Sequence, residues 1–219
     1  PVQNYAREVM QLFTIGLYEL NQDGTQATYP DGSVIETYDD VDVEGAARVF
    51  TGWDITNNNT LEPMTADNSL HDMDEKWVLG QYYPPGQTAE EDLDQFIAQI
   101  TTHANVAPFI SIMLIKQLTT SNPTQAYVSR VSAEFINSGG NLGSVIKAIL
   151  TDSELLKTSD INVTKVREPI LAMTYLYRAM EAYIGGSGDI VYDPMNYKES
   201  FNQYPLGSNS VFNFYQPSH

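Results

Sequence analysis

The sequence has no cysteine, no long apolar run and few histidines, and each shortage excludes a class of protein or site. Without cysteine, the chain can form no disulfide, thiolate metal site or cysteine nucleophile. The densest apolar run, FISIMLI at residues 109–115, is much shorter than the ~18 apolar residues of a membrane-spanning helix, so we expect no membrane span. None of the three histidines (His71, His103 and His219) is paired at the i, i+4 spacing of a helical zinc-protease motif.

The charge is strongly negative and unevenly distributed. The 219 residues include 28 Asp and Glu against 11 Lys and Arg, a formal net charge of −17. Residues 17–94 carry 18 of these acids with only Arg48 and Lys76, whereas residues 106–183 are close to neutral. Because nucleic-acid affinity rests on Lys and Arg neutralising phosphates, nucleic acid is excluded as a partner. Solubility in a salty or extracellular setting explains the acidity better than a dedicated cation-binding face.

The spacing of apolar residues predicts a mainly α fold, an irregular helical bundle. With 42% hydrophobic residues the chain can bury one sizeable core, so we expect a single helical domain over residues 1–219. A period of about 3.6 predicts helices over residues 3–15, 40–50, 88–100, 105–118, 124–136, 142–150 and 168–184. Two Asp-Gly pairs predict a small β-hairpin within residues 18–38. Residues 54–87 predict a long irregular loop with one short strand at residues 77–79.

The same pattern predicts which helix faces are buried. The buried face of the first helix is predicted to be Tyr5, Val9, Leu12 and Phe13. That of the second is predicted to be Val43, Ala46, Ala47 and Phe50, with Asp40 or Asp42 as its N-cap. The helix at 88–100 begins with acids that suit the macrodipole: Glu90, Glu91 and Asp92. Asn105 is expected to cap the helix to Leu118, which is apolar nearly all round and should be the most buried.

Residues 185–219 lose helical periodicity but remain rich in aromatic side chains. The string SVFNFYQP at residues 210–217 lies within this segment. Each large ring removes roughly 150–250 Å² from water when buried, which is enough to anchor an irregular tail. We therefore expect an aromatic C-terminal wrap that covers apolar helix faces and closes the core. Recognition of a sugar or a protein partner by these rings is the alternative.

Six strings along the chain resemble successive blocks of one family. They are NYAREVMQLFTIGLYELNQDGT, YDDVDVEGAARVFTGW, HDMDEKWVLG, SGGNLGSVIKAILTDSEL, KVREPI and PLGSNSVFNFYQP, and they cover residues 4–217. In this order they are similar to the DUF1800 family, bacterial proteins of unknown function. The resemblance implies a secreted or envelope-associated protein, periplasmic or extracellular, and it implies that this chain is a C-terminal core portion. The start at Pro1 likewise leads us to expect a processed product or a piece of a longer protein.

The resemblance brings no established reaction with it. Some members have a His in the first block where this sequence has Phe13, which weakens an enzyme hypothesis at that position. Members are often encoded beside a sulfatase-like family, which suggests a hydrolase as an alternative. The HD pair of the third block corresponds to His71 and Asp72.

His71, Asp72 and Asp74 form one candidate site. Imidazole and carboxylate ligands suit a mixed nitrogen and oxygen metal site, and a His with an Asp suits acid–base chemistry. The favoured alternative is a loop histidine that donates to a neighbouring carboxylate or backbone carbonyl and holds the irregular segment in place. We expect His103, at a helix end, to place positive charge at the helix C-terminus.

Charged residues beside apolar helices form the second candidate site. Unpaired buried charge is costly, so Arg7, Glu8, Arg48 and Lys116 should have partners. We expect Glu8 to pair with Arg48 and to link the first two helices. In the functional interpretation this pair is the floor of a polar pocket, and the candidate catalytic residues are Glu8, Arg48, His71, Asp72 and Lys116. A structural ion pair with a snorkelling lysine is the favoured interpretation.

Other motifs are weaker. DDVDVEG at residues 39–45 resembles the start of a calcium loop, but Thr51 occupies the position where a bidentate Glu is required, so a helix start is favoured. No G-x-S-x-G occurs, and GGSG at residues 185–188 lacks the context of a phosphate-binding loop. We expect no resident cofactor; calcium bound adventitiously to the acidic half is left open.

Two functions follow from these observations, and whether the chain is an enzyme is left open. The first is a binding or structural/assembly domain whose partner is the rest of a parent protein or another envelope or extracellular protein. The alternative is a hydrolase acting on polysaccharide or sulfated material, with or without a metal. The hydrolase requires the candidate side chains to converge around a concave site.

Overall fold

The computed structural model describes residues 2–56, 61–155, 165, 167–181, 197–204, 206–209, 211 and 214. The helices are α1 Val2–Gln11, α2 Asp40–Val49, α3 Ala89–Thr101, α4 Val106–Leu118, α5 Gln125–Asn137, α6 Leu142–Leu150, α7 Pro169–Ala179 and α8 Tyr197–Phe201. Strand β1 (Trp53–Asp54) pairs antiparallel with β2 (Thr65–Ala66), and β3 (Lys76–Val78) pairs antiparallel with β4 (Gln81–Tyr83). The prediction of a mainly helical protein is confirmed.

The chain divides into two compact units. The first consists of residues 1–114 and 124–149, and the second of residues 115–123 and 150–219. The first unit therefore contains α1 to α3, both sheets, α5 and most of α4 and α6. The second contains the end of α4 together with α7 and α8. The expectation of a single domain over residues 1–219 stays a prediction.

Helix α1 ends four residues earlier than predicted, and its buried face is different. Ala6 and Met10 are fully buried, whereas Tyr5 and Phe13 are each 58% exposed. The predicted face is therefore wrong at both of these aromatic positions. The reason is a turn after Gln11, where the N–H groups of Ile15 and Gly16 both donate to the carbonyl of Met10. Phe13 lies in this turn and not on the helix.

Helix α2 begins at Asp40, and its N-cap is Asp39, so the prediction of Asp40 or Asp42 as the N-cap is wrong. The Asp39 side chain accepts hydrogen bonds from the N–H groups of Val41 and Asp42, and the Asp42 carboxylate accepts from the Asp39 N–H. This reciprocal capping box satisfies N–H groups that have no partner within the helix. The acids of DDVDVEG therefore begin a helix, as favoured above. Val43, Ala46 and Ala47 are buried as predicted, with Phe50 partly buried against them.

The lack of a side chain at Gly45 allows α2 to contact the β3–β4 hairpin. A Cβ atom at Gly45 would collide with the carbonyl oxygen of Trp77. Glycine therefore lets the helix approach the strand backbone directly. Phe96 belongs to the core around this contact, and Phe50 packs edge-to-face on it with centroids 5.1 Å apart. The exposed ring of Tyr5 packs on Phe50 in the same way at 4.9 Å.

The predicted hairpin at residues 18–38 is a pair of tight turns joined by isolated antiparallel bridges. Gly24 and Gly32 have φ values of +81° and +86°, as the Asp-Gly pairs predict. Asn105 holds this segment against α4. Its Nδ2 donates to the carbonyls of Ile15 (2.5 Å) and Tyr18 (3.0 Å), and its Oδ1 accepts from the Leu20 N–H (2.6 Å). The side chain that was predicted to cap α4 therefore anchors the hairpin instead.

The remaining predicted helices of the first unit are largely confirmed. Thr88 caps α3 in a capping box with Glu91, and Thr124 caps α5. Gly139 and Gly140, both with positive φ, follow the end of α5. Helix α4 is less uniformly buried than expected, since Leu118 is 46% exposed. The loop at 54–87 contains β2, β3 and β4, of which only β3 was predicted, because strands of two or three residues show no alternation.

In the second unit, α7 begins at Pro169, as predicted, and a residue of the C-terminal segment contacts its start. Gln203, which is buried, accepts a hydrogen bond from the Ile170 N–H through Oε1 at 3.2 Å. The helix itself has no buried residue. Of the string at 210–217, only Val211 and Phe214 lie within the described residues, and Val211 is exposed. The aromatic wrap therefore stays a prediction.

The described helices agree with the expectation of no membrane span. No one of them has both the length and the apolarity for crossing a membrane, and α3 and α4 reach that threshold only as a pair bent by 72°.

Candidate functional site

Thr51, directly after α2, is the centre of a polar cluster in the first unit. Its hydroxyl donates to the carbonyl of Arg48 at 2.7 Å and accepts from the N–H of Asp72 at 2.8 Å. Gly52, with φ +81°, follows it, and a Cβ there would lie 2.8 Å from the Asp67 carbonyl oxygen. The end of α2 and the irregular segment around His71 are therefore packed backbone to backbone.

His71 uses both ring nitrogens inside the protein. Nδ1 lies 2.9 Å from the carbonyl oxygen of Thr51, and Nε2 lies 3.0 Å from Oδ2 of Asp92. Nδ1 also lies 3.1 Å from the hydroxyl of Thr51, so each ring nitrogen has partners inside the protein. The histidine side chain is fully buried. This agrees with the favoured sequence-based interpretation, a loop histidine that bonds to a neighbouring carboxylate or backbone carbonyl and holds the irregular segment in place.

Asp92 also receives a cationic donor. Lys76 Nζ lies 2.7 Å from the same Oδ2, and it also donates to the carbonyl of Asp74 at 3.0 Å. Both side chains are 0% exposed, and Oδ1 of Asp92 has no hydrogen-bond partner among the residues that the structure describes. We call Thr51, His71, Lys76 and Asp92 the buried cluster. It connects the end of α2, the irregular loop, β3 and the first turn of α3.

The wall of the buried cluster contains a phenol that stays protonated. Burial and the nearby charge of Asp92 both raise the pKa of Tyr83. Its hydroxyl donates to Oε1 of Gln99 at 2.6 Å, and Gln99 in turn donates to the carbonyl of Val78 at 2.7 Å. These bonds tie β3 and β4 to α3 and close the cluster on that side.

An ion pair lies beside the cluster at the surface. Arg48 Nε and Nη2 contact the two carboxylate oxygens of Asp72 at 2.7 and 3.0 Å, a bidentate pair with each side chain about 30% exposed. The hydrogen bonds from Arg48 lower the pKa of Asp72 to about 2. The same pairing raises the pKa of Arg48. The pair fixes the loop to α2 from the outside.

The pairing expected between Glu8 and Arg48 is wrong. Arg48 pairs with Asp72, and Oε2 of Glu8 is buried without a hydrogen-bond partner among the described residues. Arg7 links the first two helices instead, because its Nη2 lies 2.8 Å from Oδ1 of Asp40. Asp72 forms the pair because the loop places its carboxylate within hydrogen-bond distance of the Arg48 guanidinium, which binds a carboxylate through two N–H groups.

The structure leaves the predicted role of Lys116 open, and it does not group the predicted metal ligands. Lys116 belongs to the second unit, so its place in the proposed constellation stays a prediction. Within the described ranges, no three His, Asp or Glu side chains form a group that could hold a metal ion. His71 contacts Thr51 and Asp92, and Asp72 contacts Arg48, so the structure does not bring His71, Asp72 and Asp74 together as ligands.

His103 is not the cation expected at a helix end. Its Nδ1 accepts a hydrogen bond from the N–H of Asn105 at 3.2 Å, which requires an unprotonated nitrogen. Burial also lowers the pKa of His103. The neutral ring therefore joins the end of α3 to the start of α4.

The two residues that complete the cluster were missed by the sequence analysis. Asp92 was predicted only as one of three acids in the first turn of a helix, where the macrodipole favours them. However, it lies four residues before Phe96 and three after Ala89, on the buried face of α3. Lys76 lies two residues before Val78, and both are buried on one side of β3. These two spacings are the signals from which the buried pair could have been predicted.

A model of the family described as "Protein of unknown function (DUF1800)" matches residues 2–219. The chain belongs to the DUF1800 family. No curated protein and no solved structure matches this DUF1800 chain. The family description carries no reaction, substrate or partner, so the function has to be argued from the side chains of this DUF1800 protein.

The chemistry available to the buried cluster is limited by its burial. A general acid or base must reach the proton of a substrate directly or through one water. The side chains of His71, Lys76 and Asp92 are 0% exposed, and they contact each other and the backbone. In this geometry the cluster can hold four segments together, but it presents no group to a substrate. The hydrolase hypothesis gains no support from it.

Proposed function

We propose that this chain is a non-catalytic binding or assembly domain. The observation that supports this proposal most directly is the complete burial of the His71 side chain. His71 belongs to both candidate sites of the sequence analysis. A catalytic site requires its titratable groups to open into a concave pocket. Here they form internal contacts that stabilise the loop between α2 and α3.

The charges of the candidate residues support the same proposal. Arg48 and Asp72 form a bidentate pair, which leaves neither group free to move a proton at neutral pH, since the pKa of Asp72 is lowered to about 2. Three of the candidate residues, Arg48, His71 and Asp72, thus have structural partners, which favours a binding role through the protein surface. We propose the rest of a parent protein, or another envelope or extracellular protein, as the partner, and a secreted or envelope location for the whole.

The test combines stability with activity. His71→Gln removes the ring contacts to Thr51 and Asp92, and we expect a melting temperature about 4–8 °C lower, from the loss of about 2 kcal/mol. The matched control is Asp74→Asn, an exposed carboxylate in the same loop, which should leave the melting temperature unchanged. We expect no turnover of aryl sulfates or aryl glycosides by the wild-type chain.

The opposite pattern would establish an enzyme. If the wild-type chain hydrolyses either substrate, and His71→Gln abolishes turnover while the melting temperature stays the same, the proposal is wrong. Glu8→Gln is a second test of the proposal. Because the Oε2 atom of Glu8 is buried, we expect this variant to change the melting temperature and to leave turnover unchanged.

A further inference from the structure

A cleft of about 570 Å³ lies within the second unit. One wall is residues 117–119 at the end of α4, and the other is formed by residues 165, 167 and 168 and one face of α7. Small-molecule sites commonly have volumes of ~300–1,000 Å³. The cleft therefore has the size of a small-molecule site, in a part of the chain for which the sequence suggested no ligand.

The α7 wall combines a ring, an apolar side chain and a cation. Leu171, Thr174, Tyr175 and Arg178 have i, i+3, i+4 and i+7 spacing, so they share one face of the helix. Thr174 donates its hydroxyl proton back to the carbonyls of Ile170 and Leu171. Leu171 and Tyr175 are both more than half exposed. The cleft therefore offers an apolar surface on which a ring could lie.

The charge of the cleft is opposite to that of the molecule. Lys165, Arg167 and Arg178 line it, with Glu168 as the one acid among its lining residues. The chain has 28 acids against 11 bases, so three bases to one acid is a local reversal. A cleft lined mainly by charges of one sign raises the local concentration of ions of the opposite sign. This arrangement indicates an anionic ligand.

Two of the cations that line the cleft are held in place by contacts with other residues of the second unit. Lys165 Nζ donates to the carbonyls of Lys116 (2.7 Å) and Gln117 (3.0 Å), at the negative end of α4. The Arg167 guanidinium lies over the Tyr175 ring, with Cζ 4.7 Å from the centroid. Stacking uses the face of the guanidinium and leaves its N–H edges for an acceptor.

We propose that this cleft binds a small organic oxyanion, a carboxylate or phosphate ester that carries a ring. Arg167 and Arg178 contact the oxyanion, since guanidinium groups match carboxylate and phosphate geometry. The ring lies against Leu171 and Tyr175. This inference rests on the proposed binding function and names the class of ligand.

The experiment measures the affinity of the whole chain for phenyl phosphate by isothermal titration calorimetry. Benzoate and inorganic phosphate are the comparison probes. Phenyl phosphate and benzoate are expected to bind at one site, and inorganic phosphate more weakly because it has no ring. Arg178→Gln and Arg167→Gln should each weaken the binding of phenyl phosphate about tenfold or more, the loss of one charge-assisted contact. Circular dichroism checks that each variant is folded.

Lys198→Gln is the matched control. Lys198 is exposed, belongs to the same unit and lies over a tyrosine ring, with Nζ 5.5 Å from the centroid of Tyr204, but it does not line the cleft. Its loss should change the affinity by no more than about twofold. The proposal is overturned if no probe saturates a site, or if all three variants weaken binding equally.

Two outcomes separate this inference from the proposed function. If phenyl phosphate binds in an arginine-dependent way and is also hydrolysed, the site stands and the non-catalytic function is wrong. If neither binding nor hydrolysis of any probe is seen, the oxyanion site is wrong, while a binding role through another surface stands.

Discussion

Replacing Asp92 by Asn is the most direct test of the buried cluster. The change keeps the size of the side chain but removes the carboxylate charge that faces Lys76 Nζ at 2.7 Å and His71 Nε2 at 3.0 Å. Both partners stay in the interior, where their side chains are 0% exposed. The variant therefore leaves positive charge without a counter-charge.

The magnitude follows from that burial. Breaking a buried ion pair by removing one partner costs about 3–5 kcal/mol, because the remaining charge is not solvated. For a chain of this length, each kcal/mol lowers the melting temperature by about 2–4 °C, so the expected decrease is about 6–20 °C. Asp94→Asn, the same change at an exposed position of α3, should stay within about 0.5 kcal/mol of wild type.

The assay is urea unfolding at pH 7 followed by tryptophan fluorescence. Both tryptophans, Trp53 and Trp77, belong to the first unit, so the signal reports on the unit that contains the cluster. Combining Asp92→Asn with Lys76→Met removes both charges, and its cost should be smaller than the sum of the single costs by at least about 1 kcal/mol. If Asp92→Asn matches the Asp94 control, or the double variant is additive, the ion-pair reasoning is refuted.

Two further predictions concern the edge of the cluster and the contact of α2 with β3. The pKa of Asp72 is lowered in the folded protein to about 2, so its pairing with Arg48 stabilises the fold above about pH 4 and is lost as the pH falls toward 2. Asp72→Asn should therefore cost about 1–2 kcal/mol at pH 7, after allowance for solvent screening. The difference in urea midpoint from wild type should narrow as the pH falls from about 4 toward 2, and a difference that stays constant over this range contradicts the pairing. Gly45→Ala should destabilise by more than about 2 kcal/mol, because its Cβ meets the Trp77 carbonyl. Gly143→Ala should change the stability by less than about 1 kcal/mol, because the gain in helix propensity is offset by a Cβ that lies 3.2 Å from Asn141 Oδ1, the atom that accepts from the Ser144 N–H. Equal thermal shifts in the two alanine variants would contradict the proposed contact.

The sequence predicted those helices best whose ends carry a local signal. Helix α5 has Thr124 at its start and Gly139-Gly140 after its end, and its predicted bounds lie within one residue of the observed ones. Such signals act through hydrogen bonds and backbone conformation of neighbouring residues, so they depend little on the rest of the fold. Pro169 at the start of α7 is a signal of the same kind.

The buried face of α1 could not be predicted in the same way. Tyr5 and Phe13 are more hydrophobic by area than Ala6, but Ala6 is the residue that is fully buried. Which side of a short helix is covered depends on the element that packs against it, here α2. That information is tertiary, and the apolar pattern of ten residues does not contain it.

The candidate site was predicted in part for a related reason. The loop role of His71 followed from its local surroundings, whereas the partner of Arg48 depended on where a long loop returns to α2. Asp72, 24 residues away, forms that pair, and Glu8 does not. Because the partner of Arg48 can lie this far along the chain, many of the 28 acidic residues are possible partners, and the sequence alone does not select one.

The buried cluster also has a consequence for proteolysis. A protease needs several residues of its substrate in extended, accessible form, which an irregular loop ordinarily supplies. The segment around His71 is held from two sides, by Asp92 inside and by Arg48 outside. Cleavage there requires the cluster to open first, so the nicking rate of this loop should follow the opening equilibrium of the first unit and not the exposure of its backbone.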